Sequence, residues 1–160
     1  MTKVIVYLGR FAVVIFGYAV ATLAASAFLH VLLLGSQGWV PDEIPPVLGK
    51  SLMVSIPLTA LFVAYFAFFP SVAAMMLAEL LGGRGWLLHA LGGMAVAAVA
   101  LGLFWLTAEH ALYGPASLET TRFAAFVAGS GIVGGLAYWL VAGRSAGNWQ
   151  TRTRSPIPSE

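Results

Sequence analysis

His30 and His110 are the two side chains of this sequence best placed to share a ligand. Each stands near the far end of a long apolar run, and Glu109 is directly beside the second. Two facing imidazoles bind a haem iron axially, and with a carboxylate they hold a divalent metal. His30, Glu109 and His110 therefore form the candidate metal site, and haem b is the one cofactor the pairing would suit. By the rise per residue, however, both histidines lie about 15 to 18 Å from the middles of their segments, shallow for a buried haem. Bonds to water or to a nearby carboxylate at the rim of an apolar layer account for them equally well, so no cofactor is required.

Other reactive chemistry is sparse. The chain has no cysteine, which excludes thiolate catalysis, disulfide exchange and cysteine metal sites. Ser26 precedes His30 by four residues, but no Asp or Glu is local enough to orient the imidazole. Gly82-Gly83-Arg84-Gly85 reads as a tight turn rather than a phosphate loop, since no nucleotide-binding glycine pattern follows a strand. Proton and ion pathways use ionisable groups at mid-depth in a membrane, and the long apolar runs have none there. No catalytic residue is assigned, and the reading is of a protein that is not an enzyme.

The elements that would position these groups are helices. Residues 11–29, 51–78, 90–108 and 123–143 contain no Lys, Arg, Asp, Glu or His. Each run is long enough, or nearly so, to cross a hydrocarbon core of ~30 Å at ~1.5 Å per residue. Of 160 residues, 60% are hydrophobic and 9% charged, and the mean hydropathy is +0.91. A soluble domain needs roughly a quarter of its residues charged, so the apolar surplus has to face lipid. The fold class expected is all-α: a polytopic membrane protein with a four-transmembrane-helix bundle, helices at about 4–34, 51–81, 86–112 and 121–142. Residues 144–160 form a polar, mobile tail.

Ala25-Ser26-Ala27 has the form of a signal-peptidase site, but the apolar run continues through Leu34, so the first segment is expected to be retained. Lys3, Arg10, Arg84, Arg144, Arg152 and Arg154 lie on the termini and the second loop, against Lys50 and Arg122 on the other side. That bias places both termini in the cytoplasm. It also explains the net charge of +2 as a topology signal, with no nucleic-acid partner implied. The layout is that of many small bacterial inner-membrane proteins.

Contacts are expected from small residues, because in lipid helices gain by close backbone approach. Gly17 and Ala21 on the first helix, Gly93 and Ala97 on the third, and Gly131 and Gly135 on the fourth make small-xxx-small patterns. They predict tight packing within the chain or between copies. Pro57 and Pro70 each remove a helical hydrogen bond from the second helix and predict two kinks. Between them Phe62, Tyr65, Phe66 and Phe69 share one face at helical spacing, either as packing or as an aromatic ligand slot. Glu79, Arg84 and His89 bracket the second loop as a candidate cytoplasmic clamp. Arg144, Arg152 and Arg154 are placed to meet anionic lipid headgroups.

Two main functional readings follow. One is a non-enzymatic accessory or self-assembling subunit of a membrane complex, with the bilayer and further copies or partner proteins as its contacts. The other is binding or transport of a small apolar or neutral solute along the kinked second helix, and the histidine-ligated haem or metal protein stands third. The topology is directly testable: a reporter fused at Glu160 should be active only in its cytoplasmic form, and activity confined to the periplasm would reverse the orientation.

Overall fold

A computed structural model of the chain describes residues 2–38, 45–80, 85–107 and 118–145. The described residues fold into four α-helices: α1 (Thr2–Ser36), α2 (Pro46–Leu80), α3 (Trp86–Thr107) and α4 (Leu118–Val141), followed by a 3₁₀ turn at Gly143–Ser145. All four are long and apolar enough to cross a membrane. The tail beyond residue 145, the two long loops and the tip of the second loop lie outside the described residues.

The helix bounds differ from expectation in informative ways. α2 begins at Pro46 rather than near residue 51, and the carbonyl of Pro45 accepts from the amides of Leu48 and Gly49 at 2.9 and 3.1 Å. Proline costs nothing in a first turn, where its missing N–H would have had no partner. α2 also runs unbroken through Pro57 and Pro70. α1 closes with a turn in which Gly38, at φ 83°, donates to the carbonyl of Gly35, a conformation that suits glycine. α1 and α2 have 35 residues each, about 52 Å at the helical rise, so both exceed the hydrocarbon thickness and must tilt or project.

The chain goes up and down, and each helix packs beside its neighbours in the order α1, α2, α3, α4, with α4 returning to α1. Packing is uneven. α4 is in close contact with both α1 and α3, whereas α2 touches its neighbours much more sparsely. Three helices thus form a wall with α4 at its centre, and α2 stands across from α4.

Small residues make that wall. A Cβ built on Gly131 would lie 2.5 Å from the Cβ of Ala97, and one on Gly93 would collide with the carbonyl of Gly131. A Cβ on Gly135 would strike the carbonyl of His89. On the other side, Gly134 faces the carbonyl of Ala21 at 3.1 Å, and Gly17 faces the Cβ of Ala142 at 3.0 Å. The buried residues match this construction, since most are Ala, Ser or Thr, while Phe, Leu and Met side chains crowd the outer surface. Large apolar groups find equivalent surroundings in lipid, and only small ones let backbones meet.

Gly135→Ala should therefore destabilise the protein by about 1 to 3 kcal/mol through overpacking. Gly102→Ala, with open space at that position, should leave stability unchanged or raise it by up to ~1 kcal/mol through helix propensity. Thermal unfolding in mild detergent reads both, and equal behaviour of the two variants would contradict the close α3–α4 approach.

Candidate functional site

The space between α2 and the wall is a cavity of about 500 Å³ reached by side chains of all four helices. This lies within the range of ligand pockets, ~300 to 1,000 Å³. Its lining extends from Thr59 to Ala78 on α2 and from Leu88 to Phe104 on α3, about 28 and 24 Å by the helical rise. The cavity therefore extends through most of a hydrocarbon core of ~30 Å. On α2 the lining includes the buried Ala67, Ser71 and Ala78 together with the larger Phe62, Phe66 and Met75. The far wall includes Ala21, Gly93, Ala97, Gly131 and Gly135, so the residues that let the wall close also give it a flat inner surface.

Polar groups around the cavity mostly bond to the helices. The Tyr18 hydroxyl donates to the carbonyl of Ala64 at 2.7 Å. Ser26, fully buried, donates to the carbonyl of Ile56 at 2.8 Å. Both bonds tie α1 to α2, and neither lands on the Met53 or Phe66 carbonyls that the prolines deprive of a partner. Thr22 and Ser130 return their hydroxyls to carbonyls of their own helices. What remains for a ligand is an apolar surface.

A charged and aromatic cluster closes the cavity at the end nearest the chain termini. Arg10 of α1 forms an ion pair with Glu79 of α2, and both side chains are about four-fifths buried, at 23% and 22% exposure. The other guanidinium nitrogen donates to the carbonyl of Ala142 at 3.1 Å, where a cation suits the negative end of α4. His89 of α3 stacks on Tyr138 of α4 with ring centroids 5.9 Å apart. Its Nδ1 bonds to the carbonyl of Gly85 at 2.9 Å; a carbonyl can only accept, so Nδ1 carries a proton. Arg144 lies over the Trp139 ring, 4.7 Å from its centroid.

The structure distributes the sequence candidates unevenly. Phe62 and Phe66 line the cavity, whereas Tyr65 and Phe69 are 76% and 80% exposed and turn outwards. Gly17, Ala21, Gly93, Ala97, Gly131 and Gly135 meet at the α1–α4 and α3–α4 contacts. Of the clamp, Glu79 pairs with Arg10, His89 stacks on Tyr138, and Arg84 lies outside the described residues. So do Glu109, His110, Arg152 and Arg154. His30 is bonded through Nδ1 to the carbonyl of Ser26 at 2.8 Å. Among the described residues no three His, Cys, Asp or Glu side chains cluster as metal ligands.

Three features escaped the sequence reading. The Arg10–Glu79 pair joins residues 69 apart, and the available signal was that Glu79 is, apart from the terminal Glu160, the one acid among the basic residues at that end. Gly143-Arg144-Ser145-Ala146-Gly147 has the spacing of a nucleophile elbow, but it follows a helix as a 3₁₀ turn rather than joining a strand to a helix. Gly129, Gly131 and Gly134 have dinucleotide-loop spacing, yet they lie within α4, where Gly131 and Gly134 pack against neighbouring helices. Comparison with protein-family models, curated proteins and solved structures gives no match to this chain.

The Arg10–Glu79 pair should carry a coupling of roughly 1 to 3 kcal/mol, between the ~0 to 1 of exposed pairs and the ~3 to 5 lost when a buried pair loses one partner. A double-mutant cycle of Arg10→Ala and Glu79→Ala on unfolding in detergent measures it. Additive effects would show that the pair is incidental.

Proposed function

We propose that this chain is an intramembrane binding protein that holds an apolar ligand between α2 and the wall formed by α1, α4 and α3. The observation that carries the reading is the cavity itself: about 500 Å³ lined by all four helices in a chain whose α1–α4 and α3–α4 contacts are close-packed. An apolar pocket with a few polar groups at one end is the ordinary form of a small-molecule site. The reading is non-catalytic, since the cluster at the end offers an ion pair and a stacked ring but no nucleophile with an oriented base. The charge bias of six Lys and Arg against two supports an orientation with the Arg10 end in the cytoplasm.

Self-assembly has less to support it. The small-residue stripes that argued for contacts between copies are used inside the chain, at α1–α4 and α3–α4.

The test is photolabelling of the protein in nanodiscs with an alkyl diazirine, followed by mapping of the adducts. Labelling of inward residues Val63, Ala67, Val96 and Ala100, beyond what random contact with lipid produces, is expected. Ala67→Phe combined with Ala100→Phe fills the cavity and should remove most inward adducts while leaving those at lipid-facing Leu61 and Met76. Adducts confined to the lipid-facing set in the unmodified protein would refute the binding reading.

A further inference from the structure

The two long edges of α2 are closed by different means. Towards α1, the edge is fastened along its length by Ser26 to Ile56, Tyr18 to Ala64 and Arg10 to Glu79. Tyr18 and Phe68 add an edge-to-face contact at 6.4 Å. Towards α3, the contact across the edge is aromatic: Phe66 against Phe104, centroids 5.7 Å apart at 87°. The residues that line the cavity and are also exposed concentrate on this second edge. Phe62 and Leu77 of α2 are 60% and 57% exposed, and Leu88 and Phe104 of α3 are 43% and 39% exposed, with Phe123 of α4, at 38%, the remaining exposed lining residue. Side chains that face both the cavity and the outside mark where the cavity meets its surroundings, and here those surroundings are hydrocarbon.

We infer that the site takes a lipid chain directly from the bilayer, sideways through the seam between α2 and α3, with Phe66 and Phe104 as the bar across it. This rests on the binding reading above and specifies the ligand's class and source. A lipid chain fits because the lining runs from Leu88 to Phe104 on α3, about 24 Å by the helical rise, a length matched by an extended chain and not by a compact solute. Entry from water at the Arg10 end is disfavoured by the ion pair and the buried His89 and Tyr138 rings. A sideways path exposes no charge and requires only that two aromatic rings part.

The chain has no cysteine, so introduced pairs can be cross-linked cleanly. Phe66→Cys with Phe104→Cys, joined by a reducible bismaleimide, closes the seam. Tyr18→Cys with Phe68→Cys, joined in the same way, fixes the α1 edge. Both proteins are placed in phosphatidylcholine vesicles, hexadecyl diazirine is added, and the rate at which inward adducts appear is followed. The α2–α3 lock should slow loading by roughly tenfold or more, equivalent to at least ~1.4 kcal/mol on the barrier. Reduction of the linker should restore the rate, which shows that the locked protein is still folded; because Tyr18 itself lines the cavity, the α1-side lock is read against its own reduced form and should slow loading far less than the α2–α3 lock. Phe66→Ala alone should load faster than the unmodified chain.

Undiminished loading through the α2–α3 lock, or slowing by the α1-side lock alone, overturns the seam while leaving the cavity reading standing. A water-soluble aryl diazirine labelling the locked site as fast as the unlocked one overturns a bilayer source. Absence of inward adducts in every protein, unlocked included, is instead the failure of the binding reading itself.

Discussion

Hydrocarbon gives apolar helices no reason to come together, since a leucine facing lipid is as well solvated as one facing another leucine. Association has to come from contacts that lipid cannot match, and in this protein those contacts are backbone against backbone. Gly93, Gly131 and Gly135 bring α3 and α4 so close that a single methyl group at any of them meets a neighbouring main-chain or Cβ atom. Gly17 and Gly134 do the same for α1 and α4. The rest of the architecture follows from where this approach occurs and where it does not. α4 has glycines facing two neighbours and becomes the centre of a wall, while α2 has no glycine between Gly49 and its end and cannot come equally near.

α2 is consequently held by directional bonds and by charge. A hydroxyl on a carbonyl is strong in a medium without water, because the alternative for the hydroxyl is no partner at all. Ser26 and Tyr18 provide two such bonds, and Arg10 with Glu79 adds a third fastening at one end. Point attachments of this kind fix a helix at a distance without filling the space behind it. The cavity is thus the geometrical remainder of two kinds of helix association in one bundle. Small side chains on the inner side of α2 enlarge that remainder, because Ala67, Ser71 and Ala78 occupy little of it.

The four spans were legible in the chain because hydropathy depends on composition over twenty or so residues, and the absence of charge from each run is unambiguous. The small-residue contacts were legible for a related reason, since spacing by four puts Gly131 and Gly135, or Gly93 and Ala97, on one face whatever that face meets. Orientation was not legible. Spacing places Phe62, Tyr65, Phe66 and Phe69 near one another, but the centre of α2 is apolar on every side, so no polar face shows which way it turns. In the structure the inward arc runs through Phe62 and Phe66, and Tyr65 and Phe69 fall outside it. Arg10 illustrates the same limit for charge. Its place near the end of an apolar run was readable, whereas the partner it chooses depends on the approach of α1 and α2, which hydropathy does not encode.

The physics that leaves the cavity also constrains what it can hold. An aqueous ligand entering a protein gains from leaving water, but a chain already dissolved in lipid gains nothing hydrophobic by moving to an apolar pocket. Its preference for the pocket has to come from dispersion contacts denser than fluid lipid provides, each worth only ~0.1 to 0.2 kcal/mol per atom pair. The flat wall of Ala and Gly suits this, because a smooth surface is met by every segment of an extended chain. Retention built from many small contacts depends on the length and shape of the chain more than on any one group. Under the binding reading proposed above, occupancy of this kind would be readily reversible, because it rests on many weak contacts and on no single strong bond.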